Sequence, residues 1–522
     1  MIFKSPHPDV TIPEDKSLTE VVLHRAQEFA DKPAIIDGPS GRTLTYSQLA
    51  GAIQKAAAGL AQRGFKKGDV FAIYLPNLPE YAIAFHAVAT LGGVNTTVNP
   101  LYTADELAKQ LNDSKARFLL TIPMFLDKAS EAKEKSAVEE IFVLGEAEGA
   151  TPFATLLQND GTMPAVTINP KEDMVVLPYS SGTTGLPKGV ILTHYNIVAN
   201  TYQVQEIEAF DETDRLIAIL PFFHIYGMVV LMSVGLFKGA TLVTMPRFDM
   251  EQFLQIMQDQ KITRAYLVPP IVLGLAKHPI VDNYDLSALK VILSGAAPLS
   301  AEVSQACAER LGCVIKQGYG MTEMSPVTHL DSDDPAKIKL GAIGHLVPNT
   351  EAKIVDISSG EALAANQEGE IWVRGPQKMI GYLNNPGATM ASINEDGWYL
   401  TGDIGYIDDD GYFRIVDRVK ELIKYKGMQV APAELEAVLL TNPAIADAAV
   451  VPVADEEAGE LPKAYVVARD ADLTAEAVMA FVAEQVAPHK RIRLVEFVDQ
   501  IPKSASGKIL RRILVDRERA KG

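Results

Sequence analysis

Apolar positions in this chain fall into two kinds of run. Short, nearly continuous ones such as Val70 to Tyr74 and Phe118 to Thr121 alternate with longer stretches of helical period such as Tyr46 to Gly64 and Ala104 to Ser114. That alternation predicts layered α/β architecture from Leu18 to about Val166. The same rhythm through Leu216 to Leu220, Ala240 to Val243, Arg264 to Val268 and Val291 to Leu293 predicts a second α/β unit. Beyond about Gly341 the pattern becomes β-rich, with strand signals at Ala352 to Val355, Gly369 to Val373 and Tyr412 to Val416. The acidic run Ile407 to Tyr412 lacks the alternate acidic positions and closing Glu of a calcium loop, so a hairpin turn is expected there.

A charged stretch from Val416 to Gly427 precedes Pro432, which can occupy the first turn of a helix. Strand patterns at Ala448 to Val453 and Lys463 to Val467 and a helical one at Ala475 to Val486 follow, enough for a small domain. The expected division is therefore residues 1–417, a connection at 418–421, and residues 422–522.

Composition narrows the picture. A chain of 522 residues with 48% apolar content should form at least two globular domains. The net charge of −18 argues against a broad surface for nucleic acid or anionic lipid, though a local cationic pocket remains compatible with it. The apolar stretches Tyr81 to Val94 and Met228 to Phe237 are shorter than the ~20 residues of a membrane span and are expected as core helices. Cys307 and Cys313 read as reduced thiols, the start MIFKSPHPDV lacks a signal-peptide core, and the end RAKG lacks a peroxisomal address. A cytoplasmic location is expected.

The richest chemistry lies in YSSGTTGLPKG, Tyr179 to Gly189. Glycines let backbone N–H groups approach an anion, hydroxyls of Ser180, Ser181, Thr183 and Thr184 add donors, and Lys188 adds charge. Strands are expected on both sides, at Met174 to Leu177 and Val190 to Leu192, with Thr193 capping a helix. A Walker A loop runs from strand to helix instead, and its spelling would need glycine at Pro187 and Ser or Thr at Gly189. From the loop alone, a polyphosphate grip and a flexible surface turn both remain open.

Further motifs follow in order: PFFHIYGM (Pro221 to Met228), SGAAPLS (Ser294 to Ser300), QGYGMTE (Gln317 to Glu323), WYLTGD (Trp398 to Asp403), DRVKELIKYKG (Asp417 to Gly427) and PKSASGK (Pro502 to Lys508). Together with the loop they resemble the acyl-adenylate-forming superfamily, and within it the 4-coumarate:CoA ligases and beetle luciferases, from about residue 30 to about residue 512. The resemblance implies a multidomain α/β fold: a large N-terminal domain of two α/β subdomains and a β-barrel-like one, with a small mobile α+β C-terminal domain. It implies a two-step reaction, in which a carboxylate attacks the α-phosphate of ATP to give acyl-AMP and pyrophosphate, and CoA then displaces AMP. The implied cofactors are ATP, Mg²⁺ and coenzyme A, and the implied partner is a small-molecule carboxylic acid, with no fused carrier domain.

By the same resemblance, Ser180, Ser181, Gly182, Thr183, Thr184, Gly185 and Lys188 hold the phosphates, with Thr322 beside them and Glu323 as the metal ligand. Adenine lies against Gly295, Ala296 and Ala297 and near Gln317, Gly318 and Tyr319; Asp403 and Arg418 hold the ribose. His224 faces the substrate carboxylate. Lys508 serves adenylation, Lys424 with Gln429 serves the rotated domain, Lys420 is the hinge, and CoA enters near Lys426 and Gly427.

The acid pocket corresponds to Tyr226, Ala297, Gly318, Gly320, Pro326 and Val327. Its small residues leave room for a flat ring, and the Tyr226 phenol can pair with a para-hydroxyl, which favours a hydroxycinnamate. A medium-chain fatty acid is the close competitor. Met324 and Ser325 depart from the family pattern at the pocket wall. A non-catalytic ligand-binding homologue is the reading from another class, opposed by the joint presence of Lys424, Gln429 and Lys508.

Overall fold

The computed structural model describes residues 1–180, 187–426, 428–455, 458–470, 472–504 and 507–521, which build four sheets. An eight-stranded sheet runs in the order Gly381–Tyr382, Lys188–Thr193, Met174–Ser180, Val94–Thr97, Val70–Ile73, Ala116–Thr121, Glu140–Val143, Thr151–Pro152. A nine-stranded sheet carries the second α/β rhythm, with Arg215–Ala218, Thr241–Thr244, Arg264–Leu267, Val291–Ser294 and Val314–Gly320 among its strands. Both α/β units expected from the alternation are present.

Their boundary in sequence is not simple. Pro33–Asp37 and Thr43–Thr45, which the rhythm groups with the first unit, close the edge of the second sheet, where Ile35 pairs in parallel with Leu242. Periodicity identifies an apolar strand such as Ala34 to Ile36 but carries no information about its partner. One continuous buried cluster joins the two sheets, with Phe71 and Ile73 from one and Leu216 and Leu242 from the other. The helix Pro79–Thr90 lies inside that cluster and is buried from Tyr81 to Ala89, which explains its unbroken apolar run; Val94 already belongs to the next strand.

The second long apolar stretch differs from expectation. Tyr226–Ser233 is wound as a wider π-helix, and only Val234–Phe237 is α-helical. A Cβ on Gly227 would lie 2.3 Å from the Pro221 carbonyl oxygen, so the backbone packs closely on the segment that carries His224. π-Turns of this kind recur at functional sites.

Phe3–Lys4, Glu351–Val355, Gly369–Arg374, Tyr399–Ile407 and Phe413–Arg418 form a five-stranded antiparallel sheet, the β-only subdomain. Its last two strands are joined through Asp408 to Tyr412, where Asp408 and Asp410 each accept from Lys339 at 2.7 Å, so the acidic run is a hairpin turn neutralised by a lysine. The remaining sheet combines Met428–Val430, Ile423–Tyr425, Gly459–Ala468, Ile445–Asp455 and Leu494–Phe497. Pro432–Thr441 and Ala475–Ala483 pack on it around Ile423, Leu435, Leu439, Val450 and Val478. No helix among the described residues is long and apolar enough to cross a membrane. Cys307 and Cys313 are buried free thiols, each pushed up to about 12 by burial.

The strand after the phosphate loop passes directly into helix His194–Ile207. The Thr193 hydroxyl accepts the Asn196 N–H at 3.2 Å, and the Asn196 side chain accepts the Thr193 N–H at 3.0 Å. Asn196 also donates to the carbonyls of Pro376 and Lys378. Thr193→Ala removes the cap and is expected to cost about 1 kcal/mol, read by denaturant unfolding; an unchanged midpoint would assign the helix start to packing alone.

Candidate active site

The loop Tyr179 to Gly189 joins antiparallel strands, with Lys188 opposite Ser180 and Gly189 opposite Tyr179. Ser181, Gly182, Thr183, Thr184 and Gly185 lie outside the described residues. At the base of the hairpin, Tyr179 donates to Asp113 Oδ2 at 2.7 Å, which ties its phenol to the helix Ala104–Ser114 of the same unit. Ser180 donates to Glu323 Oε1 at 3.0 Å. Glu323 sits in the short turn Thr322–Met324 and is buried. Tyr382 donates to the same oxygen at 2.9 Å, and the Lys188 ammonium lies 4.5 Å from the Tyr382 ring centroid.

A second carboxylate, Asp403, interacts with the same lysine, Lys508, as Glu323. Asp403 is paired across the strands with Arg418, whose Nε donates to Oδ1 at 3.0 Å. Tyr319 donates to Oδ2, and burial together with the Asp403 charge drives that phenol well above its ordinary range. Each carboxylate oxygen carries two lone pairs, so one protein donor apiece leaves acceptor capacity for a pair of hydroxyls. Gln317 donates its N–H to Asp331 Oδ2 at 3.0 Å and accepts the Leu299 N–H at 3.3 Å, so its side chain shapes the loop that carries Gly295, Ala296 and Ala297. Ala296 has φ = 71°, an unusual conformation for a residue with a Cβ.

His224 accepts the Tyr226 N–H at Nδ1, 3.3 Å away. Burial, and next the charge of Lys508, lower its pKa to about 4. A neutral ring that accepts at Nδ1 carries its proton on Nε2, so His224 offers one N–H donor near neutrality. Tyr226 donates its phenol to the Leu293 carbonyl at 3.2 Å, leaving its oxygen as an acceptor. The pocket glycines have structural as well as spatial reasons: a Cβ on Gly295 would lie 3.1 Å from the Tyr226 ring, and one on Gly320 would lie 2.2 Å from the Pro326 carbonyl oxygen. Gly318, too, faces Leu330, and Val327 is buried with its carbonyl bound to Asn200. Met324 and Ser325 are completely buried.

The C-terminal region contributes Lys508, in the turn that precedes helix Arg511–Arg519. Lys508 N–H donates to Ser504 Oγ at 3.2 Å, and its carbonyl accepts the Ser504 N–H at 2.8 Å, closing a tight turn. Gly507, with φ = 78°, lies where a Cβ would be 3.4 Å from the Pro270 ring, so the turn is seated on the large domain. Burial and then Arg418 lower the Lys508 pKa, while Asp403, Glu323 and Glu421 oppose them. One lysine thus feels His224, both carboxylates and Arg418 together. Lys424 is exposed: its N–H binds Glu460 Oε2 at 2.7 Å, and it faces Gln429 across a hairpin. Lys426 is exposed with φ = 48°; Gly427 and the Gln429 side chain lie outside the described residues. Lys420 is exposed in the turn that follows Arg418. Tyr382 and Asp113 were not legible as site residues, because each reaches the loop or its neighbours from a distant segment and neither sits in a quoted motif.

The model of the AMP-binding enzyme family matches residues 22–383, and that of the AMP-binding enzyme C-terminal domain matches residues 434–508. The chain belongs to the AMP-binding enzyme family. Among curated relatives, 4-coumarate–CoA ligase 1 of Petroselinum crispum is 45% identical over 524 residues, spanning 98% of this chain and 96% of the relative. Among solved structures, the anthranilate CoA ligase AuaEII with anthranoyl-AMP superposes with a TM-score of 0.90 at 27% identity, covering 98% of each chain. ATP-bound MatB from Rhodopseudomonas palustris gives 0.87 at 27% identity, covering 96% of this chain and 99% of its own. The resemblance drawn from the motifs and the family membership therefore agree.

Proposed function

We propose that this family member is an AMP-forming acid:CoA ligase that activates 4-coumarate or a related hydroxycinnamate. The supporting observation is that Lys508 lies within electrostatic reach of His224, Glu323 and Asp403, in a chain 45% identical over its length to a 4-coumarate–CoA ligase.

In this reading Asp403 and Arg418 hold the ribose, the Gly295–Ala297 loop backs the adenine, and Ser180 and Lys188 flank the phosphates. His224 Nε2–H donates to the carboxylate and to the oxygen that gains charge at phosphorus. Lys508 adds a cation on the other side. Fixed donors aimed at developing charge are the largest source of rate in such a displacement. Glu323 is a hard oxygen donor and suits Mg²⁺, which would neutralise phosphate charge when bound. A para-hydroxyl on the acid would donate to the Tyr226 oxygen, whose own proton is committed to Leu293.

Rotation about residues 418–421 would then replace Lys508 by Lys424 and Gln429, with CoA entering near Lys426. Such a rotation has a contact to break across the hinge: Asp417 Oδ2 accepts the Ala433 N–H at 2.9 Å. Purified protein with ATP, Mg²⁺ and 4-coumarate should release pyrophosphate, and added CoA should convert the adenylate to a thioester. Faster turnover of medium-chain fatty acids would overturn the choice of acid, and no pyrophosphate from either class would overturn the ligase.

His224→Ala should slow adenylation roughly 20-fold, the loss of one hydrogen bond to a charged group. Because the wild-type ring stays neutral until about pH 4, the wild-type-to-variant rate ratio should hold constant between pH 8 and pH 5. A ratio that changed near pH 6.5 would show an ordinary, solvent-exposed imidazole.

A further inference from the structure

Tyr382 stands outside every motif that carried the functional reading, yet it touches two phosphate-site groups at once. Its strand, Gly381–Tyr382, adds to the edge of the strand that leaves the phosphate loop, with Tyr382 opposite Val190 and Gly381 opposite Ile191. The Ile380 N–H donates to the Ile191 carbonyl at 3.1 Å, and the Leu383 N–H to that of Gly189 at 2.8 Å, so the backbone on both sides of Tyr382 is fixed to the loop's exit strand. The side chain is buried at 6% exposure, its hydroxyl bound to Glu323 Oε1 and its ring beneath the Lys188 ammonium. Tyr399, also buried at 6%, is engaged with the Tyr382 hydroxyl from the far side.

The geometry at Glu323 is asymmetric. Oε1 accepts from both Ser180 and Tyr382, whereas among the described residues no donor binds Oε2. A carboxylate held by one oxygen presents the other in a fixed direction, and such outer partners commonly set the affinity of a metal-binding carboxylate. We propose that Tyr382 is the positioning residue of the phosphate site: its hydroxyl clamps one oxygen of Glu323 so that the other meets a divalent cation on the nucleotide, and its ring seats Lys188 above it. This rests on the reading of Glu323 as the metal ligand.

Removing the hydroxyl and removing the ring should have separate consequences. Tyr382→Phe keeps the seat for Lys188 and loses the clamp, whereas Tyr382→Leu loses both. The test uses Mn²⁺ in place of Mg²⁺ and a non-hydrolysable α,β-methylene analogue of ATP, with bound Mn²⁺ measured by electron paramagnetic resonance in the absence of acid or turnover. Tyr382→Phe should weaken Mn²⁺ binding to the enzyme–nucleotide complex about tenfold, with the metal-free affinity for the analogue unchanged. Ser180→Ala, which removes the other donor to the same oxygen, should also weaken Mn²⁺ binding, and because Ser180 flanks the phosphates it should weaken the analogue as well. Tyr382→Leu should in addition weaken the analogue itself several-fold. In pyrophosphate exchange, the Mg²⁺ concentration for half-maximal rate should rise in parallel with no change in the KM for the acid.

Glu323→Gln separates the two levels of the argument. If it leaves Mn²⁺ affinity intact, the metal role of Glu323 fails and the positioning role with it. If it abolishes binding while Tyr382→Phe and Ser180→Ala both bind Mn²⁺ as tightly as the wild type, Glu323 is a ligand that needs no clamp, and the proposal for Tyr382 is wrong. A Tyr382→Phe protein that loses acid and metal affinity in equal measure would also overturn it, since that marks a general packing role.

Discussion

Lys508→Ala is expected to lower the rate of adenylation by about 10²- to 10³-fold, the usual cost of removing one preorganised charge-stabilising group, while thioester formation from supplied acyl-AMP and CoA changes by less than about threefold. The asymmetry follows from where the two lysines stand. The Lys508 turn is seated on Pro270, and its ammonium lies within electrostatic reach of His224, Asp403 and Glu323. Lys424 is instead exposed on a hairpin opposite Gln429. A lysine whose charge is already destabilised by burial gains most when negative charge develops beside it. Single-turnover measurements of each half-reaction would decide the point. Equal losses in both would mean that one orientation of the small domain serves the whole reaction, and the proposed rotation about residues 418–421 would have no purpose.

Asp403→Ala should reduce kcat/KM for ATP by about 10²-fold, since two hydrogen bonds from ribose to a charged acceptor are lost at once. Stability should fall as well. Asp403 is the acceptor for Arg418 Nε and the Tyr319 hydroxyl, and its removal leaves a buried phenol and a guanidinium without their partner. Loss of one member of a buried pair is costly, but the Arg418 side chain keeps 37% exposure, so about 2 kcal/mol is expected rather than the larger penalty of a fully enclosed charge. Equilibrium unfolding and ATP-dependent exchange measured on the same preparation would separate the two effects. Asp403→Asn is the control: it retains the shape and should recover most of the stability but little of the ATP affinity. An unaltered KM for ATP in both variants would remove the ribose from this site.

Both expectations draw on motifs that are contiguous in sequence, and contiguity explains much of what was legible. The order of strands and helices followed from apolar periodicity because each element buries its own face: the helix Ala104–Ser114 and the hairpin turn at Asp408 to Tyr412 needed no distant information. The strand–loop–strand setting of the phosphate loop was readable for the same reason. Sheet membership was not. Pro33–Asp37 pairs with a strand some two hundred residues away, and only the shape complementarity of a finished core selects that partner. The π-helical winding at Tyr226–Ser233 was equally hidden, because it answers to the close approach of Gly227 to Pro221 rather than to any period in the residues.

Site residues divide along the same line. Lys508, His224, Asp403 and Glu323 could be named through the resemblance that the motifs carry together. Their electrostatic character could not, because a lowered imidazole pKa is a property of surrounding atoms. Gln317 and Tyr319 were legible as a segment, yet the structure turns Gln317 toward the Leu299 loop and Tyr319 toward Asp403.

The sequence by itself determined the succession of elements, the strand–loop–strand setting of Tyr179 to Gly189 and the identity of the ionisable groups, since each is encoded in neighbouring residues. Only the tertiary structure decided that Tyr382 grips Glu323 and Lys188, that Asp403 is shared by Arg418 and Tyr319, and that Lys508 rather than Lys424 interacts with His224, Asp403 and Glu323. Those are contacts between segments far apart along the chain. No local propensity specifies them, because they exist only once burial has brought the sheets together and made each polar group find a partner.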